Sequence, residues 1–309
     1  MAFAVALRQG RFHNGRQVSG SQIESTLRSC AQCMVSRGLK DPRRSTPGNH
    51  NLDYAISSFL RQCKKKDPPA KPQQALPSST IKWLVSRFAK GPLKRIRVAV
   101  HLIVVAFFFL LRVGEYTPSA KPRQTIPLRK KDIKLWRNHK VLPSDSPLEV
   151  LFTTDAVTIN LANQKNGKKN DTLHHSSSKC PGFNPVESMA YLIHELHGLP
   201  ATTPIGTYKT GHTTEQVTPD TIRTLIQIGA AGDNLPSRGY SFDRIGSHSL
   251  RSGGAVHLKL CGYADLTIKK LGRWSSDTYL RYIQSQIGEL TMGIAADMSK
   301  TLRYHIVSG

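Results

Sequence analysis

Apolar positions recur at helical spacing over most of this chain and at strand spacing over one stretch of it. Ile23, Leu27, Cys30 and Met34 fall on one face of a helix over residues 22–35, and a shorter stripe covers residues 52–60. The segment Asp41-Pro-Arg-Arg-Ser-Thr-Pro-Gly-Asn between them is loop chemistry. Residues 64–77 hold four prolines and four lysines, which marks a linker and a domain boundary. Ser78-Ser79-Thr80 then offers a helix cap ahead of Ile81, Trp83, Leu84 and Phe88. From Pro92 to about Leu111 the chain is apolar on nearly every side, so this stretch predicts a deeply buried helix. Over residues 126–175 the period changes to two: Val157, Ile159 and Leu161 alternate, and Asn166-Gly167 is a strong hairpin signal. Helical spacing returns over 185–196 and 221–228, followed from Ser247 by three short helices separated at Gly262 and Gly272. There is no internal repeat. The prediction is a mainly α (α+β) protein with one small antiparallel sheet, divided into a short helical domain over residues 1–75 and a larger one over 76–309.

Charge narrows the partner. The chain has 309 residues and a formal charge of +24, with 39% hydrophobic residues, enough for a packed core. Residues 1–140 hold 28 Lys and Arg against 6 Asp and Glu, net +22, whereas residues 141–309 hold 16 against 14, net +2. A surplus confined to one half suits a polyanion, nucleic acid first and an anionic membrane surface second. Lys64, Lys65, Lys66 and Lys71 of the linker, with Arg95 and Arg97 before the apolar helix, are the candidate phosphate contacts. The fourteen residues of 98–111 are too few to span a bilayer, and Arg8 interrupts the short apolar start, so neither a membrane span nor a secretory signal is expected.

Five cysteines at irregular spacing do not form a secreted disulfide framework. Cys30 and Cys33 have the spacing of half a zinc site that Cys63 and His50 would have to complete. Two small thiols on a helix is the plainer reading, and no metal is expected.

Three clusters carry chemistry. In Gly246-Ser-His248-Ser-Leu-Arg251, a cap at Ser247 would put His248 in a first helical turn and Arg251 one turn on, beside free N–H groups suited to a phosphate. A capped surface helix with incidental His and Arg fits the same residues. In Leu271-Gly-Arg-Trp274-Ser-Ser-Asp-Thr-Tyr279-Leu-Arg-Tyr282-Ile, two tyrosines lie one turn apart, spacing that serves packing unless cations or a base make a phenolate accessible. In Leu111-Arg112-Val-Gly-Glu115, an arginine ends a very apolar helix, where it needs an anion to receive it. Glu115 can orient it, as a purely structural pair or as support for a phosphate contact.

In this order the clusters, with a lysine on the hairpin between them, resemble the tyrosine recombinase (phage-integrase) family over roughly residues 76–290. The Trp274 position and the Tyr-Ile after it look most like Cre-type enzymes. The wording Gly-Arg-Trp-Ser-Ser-Asp-Thr-Tyr-Leu-Arg-Tyr-Ile is also similar to mobile-element recombinases of the DIRS and Crypton kinds. The resemblance implies a DNA breaking-rejoining fold behind a short, basic DNA-clamping domain. It makes Tyr282 the nucleophile rather than Tyr279, and Arg112 and Arg251 the phosphate-holding pair, with Glu115 behind Arg112. Lys165 becomes the general acid, with Lys168 and Lys169 as alternatives, His248 a proton-transfer aid, and Trp274 a hydrogen-bonding, packing residue. Double-stranded DNA is the implied partner, without metal or other cofactor. Homotetramers would form through the apolar C-terminal tail that carries Leu290, Met292, Ile294, Met298 and Leu302. The location would be nuclear in a eukaryote and otherwise cytoplasmic or nucleoid. A type IB topoisomerase and a non-cutting DNA-binding descendant of a mobile element are the competing readings.

Overall fold

The computed structural model describes residues 1–44, 51–68, 73–118, 125–163, 169–283, 292 and 294–299. The chain divides into two compact units, Met1–Lys71 and Pro72–Gly309.

Among its described residues the smaller unit holds three helices, α1 (Ala2–Arg8), α2 (Gly20–Val35) and α3 (Tyr54–Lys66). Ser19 caps α2 by accepting from the Gln22 N–H, and Asp53 caps α3 by accepting from that of Ala55. Ala4, Leu7, Val18, Ile23, Ile56, Leu60 and Cys63 form its core. Asp67 ties the ends together, accepting from the Gly20 N–H at 2.7 Å and pairing with Arg8. Lys64, Lys65 and Lys66 were expected in the linker but form the last turn of α3. The stripe Ile56, Leu60, Cys63 carries the helix that far, and cations in a last turn meet the negative end of its dipole.

The larger unit begins a few residues before the expected boundary. The Gln74 N–H donates to the Arg244 carbonyl (2.8 Å) and that of Leu76 to Ser249 (2.9 Å), which draws the chain before residue 76 into this unit. The expected Ser78–Thr80 cap lies inside α4 (Ser78–Phe88), whose N-cap is Pro77. The Ser79 and Thr80 hydroxyls donate instead to Asp233, at 2.7 and 2.6 Å. Next comes α5 (Lys94–Phe108), shorter at both ends than the expected 92–111, with every residue from Val98 to Phe107 buried. It is the centre of the core, and each large apolar side chain it buries contributes roughly 1.5–3 kcal/mol.

After 3-10 turns at Val113–Glu115 and Lys130–Asp132 come β1 (Ile133–Arg137), β2 (Lys140–Leu142), α6 (Leu148–Leu151), β3 (Ala156–Asn163) and β4 (Lys169–Ser176). The sheet order is β2-β1-β3-β4, antiparallel throughout. Val157, Ile159 and Leu161 face the core as their alternation predicts. Then follow α7 (Pro185–Glu195), β5 (Thr207–Thr210), β6 (Thr213–Gln216) and α8 (Pro219–Gly232). The β5–β6 ribbon is a second sheet that the apolar pattern did not reveal: three of its four β5 residues are Thr or Lys and β6 is exposed throughout. The last elements among the described residues are α9 (Ser247–Leu260), α10 (Asp265–Gly272), a 3-10 turn at Asp277–Tyr279, α11 (Leu280–Ile283) and α12 (Ile294–Met298). No helix among the described residues is long and apolar enough to cross a membrane.

Candidate functional site

The C-terminus of α5 organises the site. Helix ends leave carbonyls without intrahelical donors, and their partial charge is negative. Here the chain turns sharply, with Leu110 in the left-handed region (φ 48°), and the freed carbonyls point at α9, α10 and β4. His175 of β4 donates through Nε2 to the Phe108 carbonyl at 2.9 Å. Arg273 donates through Nη1 to Phe109 (3.3 Å) and through Nη2 to Leu110 (3.2 Å). Arg251 donates through Nη1 to the same Leu110 carbonyl and through Nη2 to that of Gly272. Its guanidinium also lies 4.4 Å from the Trp274 ring centroid, in cation–π range.

Arg112 follows directly as the N-cap of the 3-10 turn. Glu115, fully buried, accepts from the Arg112 backbone N–H at 2.8 Å and from its Nη1 at 2.9 Å. The same carboxylate accepts from Arg273 Nη2 at 2.7 Å. One buried carboxylate therefore holds two guanidiniums, with Arg251 on the neighbouring carbonyl. Asp171 acts on Arg273 at longer range, so among the described residues three cations face two carboxylates. A low-dielectric site with cations in excess favours an anionic ligand.

Close helix approach makes this possible. A Cβ at Gly254 would collide with Leu110 and the Phe107 carbonyl, and one at Gly272 with the Trp274 ring. Gly254 lets α9 reach the end of α5, and Gly272 leaves room for the Trp274 ring.

The expected residues differ in burial. Arg251 is buried (1% exposed), and His248, one turn before it, is exposed. The cap at Ser247 is replaced: Gly246 is the N-cap and its N–H donates to Ser249 Oγ at 3.1 Å. Arg97 is spent locally, donating to the Gly91 and Pro92 carbonyls and the Tyr191 hydroxyl, while Arg95 is exposed. Lys64 pairs with Glu24 at 2.6 Å, and Lys65 and Lys66 are exposed. Cys30 and Cys33 are exposed and Cys63 is buried, with no metal-holding group of His, Cys, Asp or Glu among the described residues.

Tyr279 is fully buried in a satellite core with Ala255, Val256, Ile268 and Ile283, its ring 5.5 Å from that of Trp274. Burial and the carboxylates of Asp265 and Asp277 push its pKa up to about 12. Tyr282 lies on α11, and its side chain is outside the described residues. Lys71, Lys165 and Lys168, His50, Leu290 and Leu302, and the Lys169 side chain are also outside them. The strands flanking the hairpin pair through Asn163 and Lys169. Met292 and Met298 of the tail are 75% and 81% exposed.

Sequence reasoning did not single out Arg273. Its one signal was position, a charged residue directly after Gly272 at the end of a helical stripe.

No family model matches the sequence, and no curated protein is similar to it. Solved structures are. The chain is similar to the XerH site-specific recombinase in a post-cleavage complex with its palindromic difH substrate, at TM-score 0.56 and 14% identity over 96% of this chain and 72% of that one. It is similar to the Tn1549 transposon integrase in complex with transposon right-end DNA, at TM-score 0.50 and 11% identity, covering 95% and 82% of the two chains. A complex of the same integrase with circular-intermediate DNA gives TM-score 0.50 and 12% identity over 93% and 82%. The fold is that of the tyrosine recombinases: a helical domain with a small antiparallel sheet, preceded by a smaller helical domain.

Proposed function

We propose that this protein is a site-specific DNA recombinase or integrase that cuts and rejoins duplex DNA through a covalent 3′-phosphotyrosine. The observation that carries the reading is the convergence of Arg112, Arg251 and Arg273 on the end of α5 and on Glu115, in a chain of this fold and of net charge +24. A phosphodiester is the anion such a site would hold, and the charge building on its phosphorus is what guanidiniums stabilise. The excess of cations also favours a cutting enzyme over a silent DNA-binding descendant.

Tyr282 Oη attacks phosphorus in line, its proton passing toward His248, while the bond to the 5′-oxygen breaks. Lys165, or Lys168 or Lys169, protonates that oxygen as it leaves. Arg112 and Arg251 hold the two non-bridging oxygens, and Trp274 packs the site. For Arg251 this requires it to share or release the carbonyls of Leu110 and Gly272. The reverse attack by a 5′-hydroxyl reseals the strand. Since the phosphotyrosine conserves the phosphodiester's energy, rejoining needs no ATP, and the guanidiniums supply the charge that a metal would otherwise bring. Tyr279 is the poorer nucleophile, because its surroundings hold the phenol protonated. The exposed tail residues Met292 and Met298 support a homotetramer on paired DNA sites, which a monomeric type IB topoisomerase would not need. Within the fold, the wording around Trp274 favours the Cre-type and DIRS or Crypton kinds, and with the latter a nuclear site of action.

The test is a denaturing gel after incubation with duplex DNA. The wild-type chain and Tyr279→Phe are expected to form a covalent adduct, and Tyr282→Phe none while keeping its DNA affinity. The opposite result for the two variants moves the nucleophile to Tyr279.

A further inference from the structure

Arg273 is conspicuous in three independent ways. It adopts a left-handed backbone conformation (φ 56°, ψ 40°) as the C-cap of α10, a conformation that glycine enters freely and an arginine only at a cost. It is 4% exposed, and its Nε is buried without a hydrogen-bond partner among the described residues. Its Nη2 reaches the same carboxylate that holds Arg112, with 2.7 Å from Arg273 Nη2 to Glu115 Oε2 and 2.9 Å from Arg112 Nη1 to Glu115 Oε1. An ordinary helix cap needs none of this. A glycine would close α10 with less strain and leave no buried charge to satisfy.

Glu115 alone is a poor support for Arg112. A carboxylate on so short a tether, facing only the arginine three residues before it, would neutralise Arg112 and draw it toward the protein. With Arg273 on its other oxygen the carboxylate is shared, and the trio Arg112–Glu115–Arg273 carries net positive charge. Because Arg273 is anchored by the Phe109 and Leu110 carbonyls, the carboxylate is fixed relative to the end of α5. Arg112, 25% exposed, is then held with its surplus charge directed outward.

We propose that Arg273 is a positioning residue for the phosphate-binding arginine: through Glu115 it fixes Arg112 and keeps the trio cationic, without itself touching the DNA. This rests on the recombinase reading above and adds to it the residue that sets the site's charge balance.

The experiment is a double-mutant cycle on the full chain. A random-sequence duplex pool is the probe, and duplexes recovered from the wild-type adduct serve for rates. Arg273→Met keeps most of the volume and removes the charge. It is expected to slow adduct formation about a hundredfold, the scale for a lost charge-stabilising donor. In an Arg112→Ala background the same change is expected to cost less than about threefold, because the residue it positions is gone. Arg273→Lys is expected to recover most of the loss, since a charge near Glu115 is retained. Equal factors in both backgrounds overturn the proposal and leave Arg273 a structural cap. Where Arg273→Met does not fold, Arg273→Gln, which removes the charge but can keep a donor toward the Phe109 and Leu110 carbonyls, decides in the same two backgrounds by the same criterion. Failure of the wild-type chain to form any adduct would refute the recombinase reading itself, a result distinct from additivity.

Discussion

The two units use the same basic residues in opposite ways. Residues 1–71 hold 13 Lys and Arg against 4 Asp and Glu, net +9, around a core of seven buried apolar residues. The paired cations there meet carboxylates outside that core, as Lys64 meets Glu24 and Arg43 meets Asp41, with Lys64 exposed and the other three partly buried. In residues 72–309, net +15, the core is several times larger and cations are taken inside it. Arg251 and Arg273 end on the carbonyls of α5, and Lys130, 5% exposed, ends on the Leu196 and Leu199 carbonyls beyond α7 and on Asp145. An exposed cation is screened by salt and free to move, whereas a buried one has a fixed geometry that a large core can sustain. Under the proposed function, the first kind would supply affinity for a polyanion, and among the second kind Arg251 would supply chemistry.

The sharpest break in that contrast comes from truncating the buried and the half-exposed arginine. Arg112→Ala and Arg251→Ala are each expected to slow DNA cleavage by about two to three powers of ten. They should part company in stability. Arg251→Ala leaves two carbonyls and an indole face without their cation and is expected to cost about 3 kcal/mol or more, read from the denaturant midpoint. Arg112→Ala should cost about 1 kcal/mol. Equal stability losses would show that burial does not separate the two arginines.

His101 extends the contrast to a buried group kept neutral. It lies 3.2 Å from Ser188 Oγ and stacks on Tyr191 at 4.3 Å, and burial, then Arg97, lowers its pKa to about 4. In the unfolded chain the imidazole titrates near its ordinary value of about 6.5. The neutral histidine's contribution is therefore complete above pH about 6.5 and is lost as pH falls toward 4, by up to about 3 kcal/mol. Unfolding of His101→Leu should show a shallower loss than wild type over that window. Parallel curves would mean that the imidazole is solvated in the folded state.

Salt dependence tests the surface side. Each phosphate contact contributes about −0.9 to the slope of log affinity against log salt. A fragment over residues 72–309 should bind DNA more weakly than the full chain and with a shallower slope. Identical slopes would show that the basic residues of the smaller unit do not meet DNA. The smallest effect is expected from Lys64→Ala, whose exposed pair with Glu24 contributes no more than about 1 kcal/mol. A larger loss in thermal unfolding would make that pair structural.

Much of this was legible beforehand where the determinants are local. The alternation of Val157, Ile159 and Leu161 with Asn166-Gly167 announced paired strands, and the unbroken apolar run announced the buried α5. Both depend on neighbours a few residues away. So does the Arg112–Glu115 pair, three residues apart. The β5–β6 ribbon was not legible, since it lacks an apolar stripe. Nor was the real end of the linker, because Gln74 and Leu76 are claimed by backbone partners near residues 244 and 249.

What the sequence determined by itself is therefore the elements that carry an apolar pattern and the chemical types available to the site: a buried helix, a hairpin, an excess of arginine, two tyrosines one turn apart. Only the tertiary structure decided which arginines meet. Arg251 and Arg273 reach the end of α5 across separations of more than 140 residues, and nothing in their own neighbourhoods marks them for it. The packing of α9 and α10 on that helix end does so. Buried carbonyls must find donors, and the nearest cations at the point of closest approach become the ones that fill them. The same packing encloses Tyr279 beside two carboxylates, a burial that the spacing in sequence had left open.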